Sequence, residues 1–452
     1  MTKKIYNASD FNINKLMIHD DALFVIEKLQ NNGYDGFIVG GGIRDLLLGI
    51  EPKDFDVVTN ATPEEVHKLF RNNSIIIGRR FKIVHVYFKN INPNKMINNR
   101  PIFSKNIIEI STYRSKKIPK QNIDSFGRIT IDNNYGTQSE DAYRRDFTIN
   151  AMYYDPIKGI IIDYINGMED IKKHNIKIIG NPKQRYIEDP VRFLRAIRLS
   201  EKLKLNIDPQ TIEPFHQMKH LLCNESNGRL YEETLKILLS GYSVNCINKL
   251  KELKLPKGVF VLFDKLFFKK NIDKFAFEVL KKTDQRLKDA EDISIVFILS
   301  GLLWNLVYQK WQKLLNKTND SQQSLLNSIT NIKESIYSIG ITKQLFKSMR
   351  EVWNMQLQFE SPNIQKIDDF IKMPRFRQGL HLFNIRYALN QINEDLYQVW
   401  NDIANLINSP VIDNSAKEIL VKRLELITQD TQINKTQKRT RRKKGEKQHD
   451  VI

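Results

Sequence analysis

The sequence predicts an α+β protein, with a small mixed β-sheet region over residues 1–165 and helices thereafter. Three observations predict it. Short β-branched and aromatic runs bounded by turn residues are confined to about 36–165. From about 166 onward the apolar residues recur at helical spacing. No segment repeats at a fixed period, so a solenoid or propeller is excluded. A chain of 452 residues is long enough for about two to four domains.

Taken in order, Gly36–Val39 reads as a strand running into a turn at Gly40-Gly41-Gly42. Arg44 to Leu48 opens a helix that Gly49 ends, and Lys53 to Thr59 reads as the next strand. Thr62-Pro63-Glu64-Glu65 carries three agreeing helix-start signals: a threonine cap, proline at the first helical position and glutamate three after the cap. Ser74–Ile77, Ile83–Phe88 and Ile107–Tyr113 read as strands. The Asn-, Lys- and Ser-rich stretches 91–106 and 115–140 read as loops, the second one placed to move or touch substrate. Asp189-Pro190 starts a clear helix, and amphipathic helices follow beyond 245. Ile293 to Tyr308 is the most apolar stretch; it is interrupted by polar residues and too short to span a bilayer, so it predicts a buried helix and no membrane partner.

The net charge of +19 points to a polyanionic partner. Residues 435–447 hold eight basic residues and one acidic, cannot bury a core, and predict a disordered basic tail. Cys223 and Cys246 are the only cysteines, which excludes a disulfide framework or a thiolate metal site and fits a reducing compartment. The N-terminus lacks an apolar core of the secretory kind. The expected location is cytoplasmic.

The chemistry concentrates in four places. The glycine turn offers backbone amides to phosphate, with Arg44 placed to reach the same oxygens. Asp54-Phe55-Asp56 follows it. On a strand the two carboxylates share a face, and like charges that close persist when a cation sits between them. Magnesium suits an all-oxygen site that bridges to substrate phosphates. A phosphate cradle beside such a pair points to phosphoryl or nucleotidyl transfer. Glu109 either adds a third carboxylate or is an edge-strand glutamate in solvent. Arg144-Arg145-Asp146 offers cations for a triphosphate and a further carboxylate, or else a surface ion pair. Arg192, Arg195 and Arg198 form a stripe after Glu188-Asp189, with Asp189 and Arg192 able to read the edge of a base.

In order and spacing, Ile38–Leu47, Asp54–Val57, Arg144–Asn150 and Glu188–Arg192 resemble the class II nucleotidyltransferases, which comprise bacterial tRNA CCA-adding enzymes and bacterial poly(A) polymerases. The likeness is strong over about 36–240. Ile76–Val86 and Met373-Pro374-Arg375-Phe376-Arg377 are similar to segments of the poly(A) polymerase branch, as is the basic tail.

The resemblance implies a nucleotidyltransferase head (1–165), a helical neck (166–244), a helical body and tail (245–430) and a disordered basic end (431–452). It implies Asp54, Asp56 and Asp146 as catalytic residues, and magnesium held by Asp54, Asp56 and Glu109. It implies Gly41, Gly42, Arg44, Arg145, Asp189, Arg192 and Arg195 as nucleotide-binding, with Asp189 and Arg192 choosing the base. The implied activity is template-independent addition of AMP from ATP to RNA 3′ ends, promoting RNA decay and quality control, with RNA-decay proteins as possible partners. CCA addition to tRNA and a catalytically dead RNA-binding protein are the alternatives.

Overall fold

The computed structural model describes residues 3–428, except 79–80, 98–99, most of 117–132 and of 256–272, 338–339 and 409–414; side chains of 89–106 are not described. The basic tail lies outside the described residues, as do Arg79, Arg80 and most of the loop predicted at 115–140. The chain forms two compact units, Met1–Glu225 and Ser226–Ile452.

The first unit is built on eight strands: β1 (Lys4–Asn7), β2 (Phe37–Val39), β3 (Asp56–Thr59), β4 (Ser74–Ile77), β5 (Ile83–Ile97), β6 (Arg100–Thr112), β7 (Met152–Asp155) and β8 (Ile160–Asp163). Their order is β1-β8-β7-β2-β3-β6-β5-β4. Only β3 and β6 pair in parallel, with Val57 beside Ile110; the other neighbours are antiparallel. The central strand β3 is covered on both faces: Val57, Val58 and Thr59 are fully buried. Such burial contributes about 1.5–3 kcal/mol per large apolar side chain and makes β3 a rigid mount.

Helices α1 (Asp20–Asn31), α2 (Gly41–Leu47), α3 (Pro63–Phe70), α4 (Gln138–Arg144), α5 (Gly167–Lys172), α6 (Pro182–Glu188) and α7 (Arg192–Leu203) complete the elements that carry the site. The cap at Thr62 forms as predicted, with Glu65 returning its side chain to the Thr62 amide. Thr137 and Glu140 close a second such box at α4.

Four expectations are corrected. The strand read from Lys53 begins only at Asp56, leaving Asp54 in the preceding loop. Helix α2 starts at Gly41, directly on the turn, because Gly40 adopts φ 73° and reverses the chain there. Asp189 does not start a helix: it closes α6, and α7 begins at Arg192 with no side-chain cap. Residues 91–106, read as a loop, extend the β5/β6 hairpin, with a register shift between Asn92 and Met96; paired backbone groups and β-formers such as Ile91, Ile102 and Phe103 outweigh the polar composition. The helical stretch beyond 166 also contains one small parallel pair, Asn175–Ile176 with Asn206–Ile207.

The second unit is helical in its described residues. Its longest helix, Ile295–Thr318, buries Trp304 and Trp311 and realises the apolar stretch predicted there. Among the described residues no helix is long and apolar enough to cross a membrane.

Candidate active site

The site lies where β2 turns into α2 beside the start of β3. Positive φ makes glycine the residue for position 40, and a Cβ there would lie 3.8 Å from Asp56 Oδ2 and 3.9 Å from Arg145 Nη1. Gly42 is a close approach: a Cβ would sit 3.2 Å from both Ile38 and Phe55 side-chain carbons. The turn, the Asp56 carboxylate and the Arg145 guanidinium therefore meet at one spot.

Asp56 is solvent-accessible at its strand end yet set in a recess. Burial, then the charges of Glu109 and Asp54, push its carboxyl up to about 6 against the pull of Arg145. Burial and neighbouring carboxylates here outweigh the one guanidinium. Glu109 lies on β6 with Ile108, Ile110 and Thr112 turned into the core, as the alternation predicts. Across the strands, His85 Nε2 lies 3.6 Å from the Glu109 carboxylate. Among the described residues, no three His, Cys, Asp or Glu side chains converge as a ready metal cage. Two carboxylates suffice for magnesium, which keeps waters and takes further oxygens from substrate phosphates. Asp54 and Asp56 fit that demand; Glu109 acts on Asp56 through its charge.

Around this pair runs a connected polar network. Arg44, buried below Gly41, donates through Nη1 to Asn150 Oδ1 at 2.8 Å and through Nε to Asp45 at 2.8 Å. The structure thus commits Arg44 to internal partners. Asn150 Nδ2 in turn donates to Asp146 Oδ1 at 3.2 Å. Arg195 Nη1 stands 3.5 Å from Asp146 and its Nη2 3.7 Å from Asp189. Burial alone would raise the Asp146 carboxyl; Arg195, with Asn150, Arg192 and the Phe147 amide, outweighs it and holds the group below the usual carboxylate range. Arg145 is fixed by Asp141 at 3.0 Å, whose carboxylate also accepts from the Tyr153 hydroxyl at 2.8 Å.

Arg192 is nearly buried, and burial followed by the neighbouring Arg185 charge pushes it down to about 10. Its Nη1 donates to Glu188 at 3.4 Å, while its buried Nε has no hydrogen-bond partner. A buried donor without a protein acceptor is satisfied by water or by a ligand.

Sequence reasoning brought together Gly40–Gly42, Asp56, Arg145, Asp146, Asp189, Arg192 and Arg195. It missed Asp141, Asn150, Tyr153 and Arg185. Arg185 Nη2 donates to the carbonyls of Arg144 and Arg145, each at 2.6 Å, while Nη1 pairs with Glu188 at 2.7 Å. The one local signal was its spacing of three from Glu188 on a short helix; its backbone contacts, about 40 residues away, leave none.

Comparison with known proteins agrees. Residues 36–177 match the poly A polymerase head domain, 204–267 the probable RNA and SrmB-binding site of polymerase A, and 315–447 the polymerase A arginine-rich C-terminus. Poly(A) polymerase I of Salmonella typhimurium is 34% identical over 396 residues, 84% of this chain and 81% of that one. The Escherichia coli O157:H7 protein of that name is 35% identical over 388 residues, 83% of this chain and 79% of that one. A CCA-adding enzyme of Lactobacillus helveticus is 33% identical over 238 residues, 53% of this chain and 54% of that one. Among solved structures, a tRNA-processing enzyme in an apo form matches with a TM-score of 0.54 at 19% identity, covering 91% of this chain and 99% of that one; this likeness concerns the fold.

Proposed function

The chain belongs to the bacterial poly(A) polymerase I family and is a polynucleotide adenylyltransferase, and from that premise we propose that it adds AMP from ATP to RNA 3′ ends through magnesium held by Asp54 and Asp56. The observation that carries this is the meeting of the Asp56 carboxylate and the Arg145 guanidinium at the glycine turn, with Arg195 bridging Asp146 to Asp189 beside it. The first group has the chemistry of transfer and the second that of base choice.

In this reading the amides of Gly41 and Gly42 and the Arg145 guanidinium receive the triphosphate. Asp146 stays ionised at neutral pH because Arg195 compensates it. Asp189 and the unpaired Nε of Arg192 meet the base edge, so the protein rather than a template selects adenine. Arg195 ties the base-reading pair to the catalytic aspartate, and Arg44 holds the floor of the turn through Asn150. Bound magnesium, as one ion or two, would supply charge neutralisation at the phosphates and a lowered pKa for the attacking hydroxyl. What remains for the protein is positioning and a preorganised field.

The cellular role we infer is RNA decay and quality control, with RNA-decay proteins as partners; the likeness of residues 204–267 to an RNA- and helper-protein-binding segment supports it. CCA-adding relatives share about half of the chain, against more than four fifths for the poly(A) polymerases, which favours the latter product. Incubation with unrelated RNA and single nucleotides tests it. Long tracts from ATP alone are expected, and C, C, A on tRNA only would contradict it.

A further inference from the structure

The two carboxylates of the pair have different neighbours. Asp56 looks toward the glycine turn and Arg145. Asp54 also lines a cleft of about 560 Å³, whose rim carries Leu16, Met17 and Ile107 beside the charged Glu51 and Lys53. One side of the cleft is aliphatic and displayed: Leu16 is 94% exposed, Met17 48% and Ile107 45%. This display is built. A tight turn, Lys15–Met17, is held by the Leu16 amide donating to Asn14 Oδ1 at 2.9 Å. The next residue, Ile18, is buried and anchors it. His19 is occupied as the cap of α1, its Nδ1 accepting from the Asp21 amide at 3.3 Å.

Adenylyl transfer forms a bond from the RNA 3′ oxygen to the α-phosphorus and breaks the bond to the β-phosphate oxygen; pyrophosphate leaves and the hydroxyl proton passes to water. Attack is in line, so the hydroxyl approaches from the side opposite the leaving group. The nucleotide side is taken by the glycine turn, Arg145, Asp146 and Asp189. On the adenylyl-transfer reading, this leaves the Asp54 side for the hydroxyl.

We propose that this cleft seats the 3′-terminal nucleoside of the RNA acceptor, its ribose and base against Leu16, Met17 and Ile107 and its phosphodiester toward Lys53. The assignment rests on the adenylyl-transfer reading above and names the second substrate's seat in it. Lys53 lies near further positive charge: the Lys202 pKa is lowered by burial first and then, against the opposing pull of Asp45, by the buried Arg44 and by Lys53 and Arg198. A strand leaving the cleft past Lys53 meets the charges of Lys202 and Arg198. The aliphatic side carries no pattern of donors and acceptors, so a base laid against it is held without being read; the methionine thioether adds a polarisable contact to a base face.

Two exposed positions test this without threatening the fold: Leu16→Glu and Lys53→Glu. Each is expected to raise KM for an oligoribonucleotide at least about tenfold, with KM for ATP and kcat at saturating RNA within about twofold of wild type. An RNA ending in 4-thiouridine, irradiated on the full-length protein, is expected to label the peptide containing 14–19. Unchanged RNA KM in both variants, or a label confined to other peptides, overturns the cleft while leaving the reaction intact. Labelling needs no turnover, so a wild type that labels at 14–19 yet incorporates no AMP refutes the transfer reading and not the seat.

Discussion

At the scale of single residues, Asp56 is costly by design of its surroundings. Its folded pKa of about 6 lies above the value of an unfolded aspartate. The metal-free fold is therefore penalised as pH rises toward and past 6, where the native carboxylate must ionise beside Glu109 and Asp54. Asp56→Asn is expected to raise the melting temperature of the metal-free protein at pH 7.5 by about 2 °C or more while lowering kcat about a thousandfold or more. Differential scanning calorimetry with chelator, alongside single-turnover incorporation, checks both signs. Arg185 acts through others: its two bonds to the carbonyls of Arg144 and Arg145 fix the backbone entering Asp146. Lysine cannot supply the same planar fork. Arg185→Lys is expected to lower kcat about tenfold with KM for RNA unchanged, and partial recovery by added guanidinium in Arg185→Ala would separate positioning from loss of fold. The acidic pair, Arg145, Asp146 and Asp189 were legible because their residue types are rare in apolar surroundings. Asn150, Asp141 and Arg185 were not, since their meaning lies in contacts such as Arg44 to Asn150, 106 residues apart.

At the scale of elements, local signals succeeded where the physics is local. The Thr62 box and strand β4 came out with the bounds the sequence implied. The α4 box was equally written in Thr137-x-x-Glu140, and Thr137→Ala is expected to cost about 1 kcal/mol in denaturant unfolding because α4 delivers Arg144 and Arg145. Failures had tertiary causes. Asp189 satisfies the chain between α6 and α7, and the 91–106 stretch gains its pairing from β5 and β6. In the second unit, a cavity of about 610 Å³ is lined by Arg286, Phe297, Phe376, Arg377 and His381. Burial, then Arg286, pushes His381 down to about 4, with Arg377 adding to it and Glu291 opposing. A folded pKa below the unfolded one means stability is full above about pH 6.5 and falls as pH drops toward 4. His381→Gln is expected to flatten that loss, on the order of 2 kcal/mol, in acid-unfolding curves of the full chain.

At the scale of the whole molecule, the first unit carries the sheet and runs to Glu225, about 60 residues beyond the point near 165 where strand signals stop in the sequence. The +19 charge is a statement about partners rather than fold. Removing residues 435–452 is expected to weaken RNA affinity and flatten its salt dependence, each lost phosphate contact taking about 0.7 from the logarithmic slope, with the chemical step spared; filter binding at several salt concentrations reads this directly. The account as a whole stands on one coupling, that Asp54 and Asp56 hold the metal at which an ATP chosen by Asp189 and Arg192 meets an RNA end. The most direct test gives wild type and Asp56→Asn an unrelated RNA, magnesium and each nucleotide separately. The account predicts long adenylate tracts from ATP with wild type and none with the variant. Tracts of equal length from the variant would contradict it, as would equal use of all four nucleotides.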